Sequence, residues 1–194
     1  VTGFVVENGL LRQRRFLDRD ECARLRGAMD RGIDDPAEIV GREIATHDRV
    51  RRTRSVEIEA AVQDWFEARL DAIRTDLEAG LGIPLGSREG TGFLRYPAGG
   101  FYRTHRDRGE VAGWPDAARR AVSVVVFLNG ARTPAELGDF EGGQLVLYPG
   151  GPTSSIEVVP EMGLLVAFPS TSLHEVLPVR AGIRDAAADW FYDR

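Results

Sequence analysis

From Gly92 to Phe191 the chain is a succession of short strand-like runs separated by turns rich in Gly and Pro, with no helical period between them. The runs are 92–96, 101–105, 121–128, 143–148, 155–159, 164–168, 174–179 and 183–191. Strands this short and this numerous must pair with one another, which predicts a jelly-roll or related barrel. Residues 122–128 are nearly continuous in apolar side chains, as expected of a central strand covered on both faces.

The first 90 residues read differently. Asp18 followed by Glu21 is a capping box opening a helix through about Arg31, with Leu25, Ala28 and Met29 on one face. A second helix is expected over 57–79, where Ile58, Val62, Trp65, Phe66, Leu70, Ile73 and Leu77 keep helical spacing until Gly80, Gly82 and Pro84 stop it. Between them, 32–54 is polar and irregular, and Arg49, Arg51, Arg52 and Arg54 are most simply solvated. The expectation is one α+β domain over 1–194: a double-stranded β-helix or cupin-like jelly roll over 91–194, with 1–90 as a helical support packed outside it.

Composition narrows the function classes. A net charge of -5 argues against a nucleic-acid surface, and no apolar run approaches the roughly 18 residues of a bilayer span. The N-terminal stretch lacks a signal-peptide core, so the expected compartment is the cytoplasm. Cys22 is the single cysteine and reads as a small buried side chain. All 25 basic residues are arginine, so any cationic anchor for a substrate must be a guanidinium, which suits two-point carboxylate binding.

The chemistry-bearing residues lie in the second half. His105 and Asp107 are two apart, so on an extended segment both side chains leave from one face. His174 comes 69 residues after His105, on another strand. Two imidazoles and one carboxylate are the facial triad of non-heme Fe(II) sites, which leaves positions open for O2 chemistry. Arg184, on the strand that follows, can point into the same barrel and grip the distal carboxylate of a metal-chelating acid; a surface arginine at a strand end is the other reading. Tyr96 can add a hydroxyl there or be a plain strand-end aromatic. His47 reads as an ordinary polar residue.

Residues 93–191 resemble the catalytic domain of prolyl 4-hydroxylase-type oxygenases that depend on 2-oxoglutarate and Fe(II). The motif residues are Tyr96, Gly99, Tyr102, His105 and Asp107, then Arg120 and Ser123 followed by Phe127, Leu128 and Asn129. Gly142, Gly143, Leu145, Leu147, Tyr148 and Pro149 come next, and Val159, Pro160, Gly163, Phe168, His174, Pro178, Val179, Gly182, Arg184 and Trp190 close it. The resemblance implies a double-stranded β-helix in which His105, Asp107 and His174 bind Fe(II) while Arg184, assisted by Tyr96, grips the 5-carboxylate of 2-oxoglutarate. It also implies O2 as co-reactant, ascorbate as a supporting reductant, and succinate and CO2 as products of hydroxylating a substrate C–H bond. Retention of Asp107 favours hydroxylation over halogenation.

Two positions depart from the pattern. Phe127 stands where several relatives have a tyrosine directed at the cosubstrate, and Asp185 follows Arg184 where a large apolar residue is usual; Asp185 can pair with Arg184 or face away from it. The loops 108–119 and 130–141 are candidate lids at the barrel mouth. Tyr102 and Trp114 are candidate substrate contacts, with packing on the barrel rim as the alternative for Trp114. A peptidyl proline, a free amino acid and a small metabolite all fit as substrate; no nucleic-acid or membrane partner is expected, and oligomeric state leaves no signal. A non-catalytic cupin-like metal-binding or sensing module is the competing function, and Arg184 argues against it.

Overall fold

The computed structural model of the chain describes residues 3–36, 49–110, 114–132, 139–149, 151 and 153–194. In chain order its elements are β1 (Phe4–Glu7), β2 (Leu10–Gln13), α1 (Arg19–Arg31), β3 (Ile33–Pro36), β4 (Arg51–Arg52), β5 (Arg54–Glu57), α2 (Ala60–Ala72), α3 (Arg74–Leu81), β6 (Leu85–Arg88), β7 (Gly92–Tyr96) and β8 (Phe101–His105). A 3-10 turn over Pro115–Arg119 leads to β9 (Arg120–Phe127), β10 (Phe140–Gly142), β11 (Leu145–Tyr148), β12 (Ile156–Val158), β13 (Leu165–Pro169), β14 (Leu173–Val176), β15 (Val179–Gly182) and β16 (Arg184–Asp193). A nine-stranded sheet runs β1-β2-β13-β9-β16-β7-β5-β3, with β6 also on β16, and a five-stranded sheet runs β12-β11-β14-β8-β4. The strands pair antiparallel.

Strand alternation sorts the side chains of the large sheet onto two faces. Val122, Val124 and Val126 of β9, with Leu165 and Ala167 of β13, turn toward the helices and share a core with Cys22, Leu25, Met29, Phe66, Leu70 and Leu77. Phe66 meets Phe93 of β7 at 5.7 Å between ring centroids. Full burial of each such side chain contributes roughly 1.5–3 kcal/mol. The intervening residues Phe127, Val166 and Phe168 turn the other way and pack with Leu145, Leu147, Val158 and Val176 of the smaller sheet. The two sheets therefore face each other, and the helices cover the outer face of the larger one.

The capping box is present: Glu21 N–H donates to Asp18 Oδ1 (2.8 Å) and Asp18 N–H to Glu21 Oε2 (2.9 Å), and α1 ends at Arg31 as expected. The expected second helix is two helices. The chain leaves helical geometry at Ile73 (φ -101°, ψ 4°) with no Pro or Gly to mark the break, and apolar spacing from Leu70 to Leu77 runs through it unchanged. Glu57, the expected start of that helix, instead ends β5, whose Val56 packs into the core opposite Phe93, and α2 begins at Ala60.

The first 90 residues are thus not only a helical support, since they contribute six strands. The β1–β2 hairpin turns at Asn8 (φ 50°) and Gly9 (φ 76°), the dipeptide that most strongly signals a two-residue hairpin. Nor is the described part of 32–54 irregular or simply solvated: Arg54 pairs with Asp34, and Arg51 lies over the Tyr102 ring. The expected strand over 174–179 is two strands, β14 and β15, on either side of Pro178, which has no N–H for a ladder.

Candidate metal centre

β8 ends at His105, directly opposite His174 of β14. Asp107 lies two residues beyond the strand end, so a bend and not a continuous extended segment brings it back: Asp107 N–H and Arg108 N–H both donate to Ser170 C=O (3.1 and 3.0 Å). His105 Nε2 stands 3.4 Å from Asp107 Oδ1, and His174 Nε2 stands 3.5 Å from Asp107 Oδ2. The three ligand atoms lie within 4.8 Å of one another, and the two imidazole centroids are 4.2 Å apart.

The hydrogen bonds around this trio decide what it can hold. His105 Nδ1 lies 2.8 Å from Arg103 C=O and His174 Nδ1 lies 3.0 Å from Ser172 C=O. A carbonyl only accepts, so each Nδ1 carries the proton and each Nε2 presents its lone pair. Burial lowers the His174 pKa to about 4, against the pull of Asp107. Burial also disfavours charge on Asp107, but His174, His105 and the Ser123 hydroxyl outweigh it and hold the carboxyl well below its usual range. Two imidazole Nε2 atoms and a carboxylate together make the donor set of a divalent transition metal.

Two serines hold Asp107 in place. Ser123 Oγ donates to Asp107 Oδ2 (2.6 Å) and shares a hydrogen bond with Ser170 Oγ (2.9 Å), and both serines are buried. Arg120, paired with Glu89 and 3.9 Å from the Trp190 ring, donates to Asp107 C=O (3.4 Å). Sequence reasoning includes Ser123 and Arg120 only as motif letters without roles, and nothing local to Ser170 marks it out. Tyr102 stacks on His105 at 3.6 Å between centroids with Arg51 4.7 Å away, so it packs against one member of the trio.

Arg184 is 2% exposed. Its guanidinium carbon lies 4.7 Å from the Tyr96 ring and 5.0 Å from Phe127, and Nε has no hydrogen-bond partner. Among the described residues no carboxylate forms an ion pair with it. Burial therefore lowers its pKa, with Tyr96 and Asp185 opposing. A buried guanidinium without a counter-ion is costly, and an anion entering to meet it would offset that cost. Asp185 does not: one residue on, it faces the helices, where Arg95 Nε (2.8 Å) and Arg26 Nε (3.3 Å) hold it. Gly143 (φ +67°) keeps the Arg184 slot clear, since a Cβ there would stand 2.9 Å from Arg184 Cδ.

Arg184 and the trio both border the apolar cluster between the sheets. Tyr96, Phe127 and Phe168 belong to that cluster, and Phe168 meets His174 edge-on at 4.8 Å. Trp114 is the N-cap residue of the 3-10 turn and is 39% exposed. His47 and residues 133–138 of the 130–141 loop lie outside the described residues.

The sequence profile of the 2OG-Fe(II) oxygenase superfamily matches residues 91–192. The chain belongs to that superfamily. Within it, the chain is 37% identical over 100 residues to a PKHD-type hydroxylase of Alteromonas mediterranea and 34% identical over 100 residues to one of Parvibaculum lavamentivorans. Each match covers 50% of this chain and 41% of the relative, so the chain spans well under half the length of those curated proteins. Among solved structures it is similar to a Pseudomonas putida prolyl-4-hydroxylase, with TM-score 0.72 and 29% identity over 96% of this chain and 93% of that one. A prolyl hydroxylase of Trichoplax adhaerens, solved with a peptide fragment, shares the fold at TM-score 0.76 and 22% identity over 96% and 84%.

Proposed function

We propose that this oxygenase is a hydroxylase that couples oxidative decarboxylation of 2-oxoglutarate to insertion of one oxygen atom into a substrate C–H bond. The finer architecture in this reading is a double-stranded β-helix within one domain over 1–194, whose metal and cosubstrate sites lie between its sheets. Sharing of one core by Leu25, Phe66, Val124 and Phe191, from both halves of the chain, supports the single unit.

His105, Asp107 and His174 would hold Fe(II), and Arg184 with Tyr96 would hold the 5-carboxylate of 2-oxoglutarate. Bound Fe(II), with 2-oxoglutarate and O2, supplies the oxidising chemistry, which yields succinate, CO2 and a hydroxylated product; ascorbate serves as external reductant. The chain's own part is geometry and environment. Asp107 supplies negative charge to the cation, and Ser123 and Ser170 fix the carboxylate plane. Arg184 receives the distal carboxylate two-fold, and Phe127, Phe168 and Leu147 keep the slot dry, which strengthens that charge pairing.

The observation that carries this reading is the pairing of a preformed His-Asp-His trio with a buried, carboxylate-free arginine on the same inter-sheet space. A metal module that does not turn over has no use for Arg184. Prolyl peptides, free amino acids and small metabolites are the substrate classes to test, by succinate release with Fe(II) and 2-oxoglutarate. One class should raise release above the substrate-free rate, and Asp107→Ala should abolish the rise. Equal release from Asp107→Ala and the parent chain would refute the assignment.

A further inference from the structure

We infer that Asn129 is a positioning residue for the cosubstrate anchor: its carboxamide holds the backbone on both sides of Arg184 and so sets where the guanidinium stands. The inference rests on the reading of Arg184 as the carboxylate anchor. The residue pairing between β9 and β16 ends at Phe127 and Ala186, and one more backbone bond, Leu128 N–H to Asp185 C=O (3.0 Å), follows. At Asn129 the side chain takes over from the main chain. Its Nδ2 donates to Ile183 C=O (2.8 Å) and its Oδ1 accepts from Asp185 N–H (3.0 Å). Those two groups flank Arg184 directly.

Asn129 is 0% exposed, so water does not replace either bond when the carboxamide is removed. On its other edge Arg184 pairs with Tyr96 of β7; on this edge Asn129 holds both neighbours of Arg184, beside the one backbone bond from Leu128 N–H to Asp185 C=O. The side chain has little freedom to correct a backbone shift, because Tyr96, Phe127 and the Cα of Gly143 close around it. A displacement of residues 183–185 therefore passes to the guanidinium almost undiminished, and a small misplacement of an anchor weakens binding strongly.

The test compares 2-oxoglutarate with 2-oxobutyrate, which has the same keto-acid end and no distal carboxylate. Both are titrated calorimetrically into the full chain loaded with Mn(II), as parent, Asn129→Ala, Asn129→Asp and Arg184→Ala. The ratio of the two Kd values isolates the distal contact. Asn129→Ala should reduce the preference for 2-oxoglutarate by about tenfold while Mn(II) affinity stays within about twofold of the parent. Asn129→Asp keeps the acceptor for Asp185 N–H and loses the donor to Ile183, so it should fall between; it carries the test alone if the alanine variant does not fold. Undiminished preference in a folded Asn129 variant overturns the inference. So does an equal weakening of both acids together with Mn(II), which marks a merely structural residue. An unchanged preference in Arg184→Ala would instead overturn the anchor assignment, and this inference with it.

Discussion

Arg184 and Tyr96 are directly paired residues on β16 and β7, and the guanidinium carbon of one lies 4.7 Å from the ring centroid of the other. The aromatic face offsets part of the desolvation of the buried cation but leaves its N–H groups without a carboxylate. On the proposed reading, that incomplete satisfaction is what suits the position to receive a carboxylate.

Phe127, on the other side of Arg184 at 5.0 Å, offers a ring but no donor. Phe127→Tyr adds a hydroxyl with little change in volume. It should tighten 2-oxoglutarate binding by about fivefold, the scale of one hydrogen bond worth ~1 kcal/mol. The same hydroxyl lacks a partner without cosubstrate, so the variant's Tm should fall in its absence and rise more steeply than the parent's as 2-oxoglutarate is added. Thermal melts over a 2-oxoglutarate titration check both signs.

Ser123 controls Asp107 through the 2.6 Å hydrogen bond to Oδ2. Ser123→Ala leaves that oxygen free to turn, and Mn(II) affinity should fall roughly ten- to a hundredfold. Ser123→Thr, which keeps the hydroxyl, should restore most of it in a calorimetric titration.

Gly143→Ala meets two obstacles. The backbone is left-handed (φ +67°), and the new Cβ would stand 2.9 Å from Arg184 Cδ and 3.1 Å from Val179 Cγ2. Left-handed strain costs roughly 1–2 kcal/mol and overpacking roughly 1–3 kcal/mol more. The midpoint of urea unfolding should drop accordingly, and 2-oxoglutarate binding should weaken more than metal binding.

Cys22 is 0% exposed, and burial pushes its thiol up to about 11. Raised in the native state, it keeps its proton while the unfolded chain releases one near 8.5, so it contributes nothing to the pH dependence below that value. Above it, stability should fall as pH rises toward 11. Iodoacetamide at pH 8 should therefore label the chain only after denaturant is added; rapid labelling of the native protein would contradict its burial.

The His105, Asp107 and His174 trio and Arg184 could be proposed from the sequence because two of its three histidines fall at fixed intervals from an aspartate and an arginine. Their supports could not. Ser123, Ser170 and Asn129 act through one or two hydrogen bonds each to residues far away in sequence, and no local pattern carries that geometry. The core strands were legible from alternation and from Gly and Pro turns. The six N-terminal strands were harder, being four residues or fewer, and only Asn8–Gly9 announces one of their turns. The break at Ile73 is invisible to apolar spacing, since both helices keep the same buried stripe. Asp185 shows how strand parity resolves what the sequence leaves open: alternate residues face opposite ways, so it pairs with Arg95 and Arg26, while Arg184 faces the slot.

The central claim is that one site binds a divalent iron and a five-carbon diacid together. It is tested most directly by adding Fe(II) and 2-oxoglutarate to the chain without oxygen and recording the visible spectrum. The account predicts a charge-transfer band in the parent protein, no band in His174→Ala, and a band in Arg184→Ala that needs about ten times more 2-oxoglutarate. Absence of the band in the parent at saturating ligand, or its persistence in His174→Ala, would contradict it.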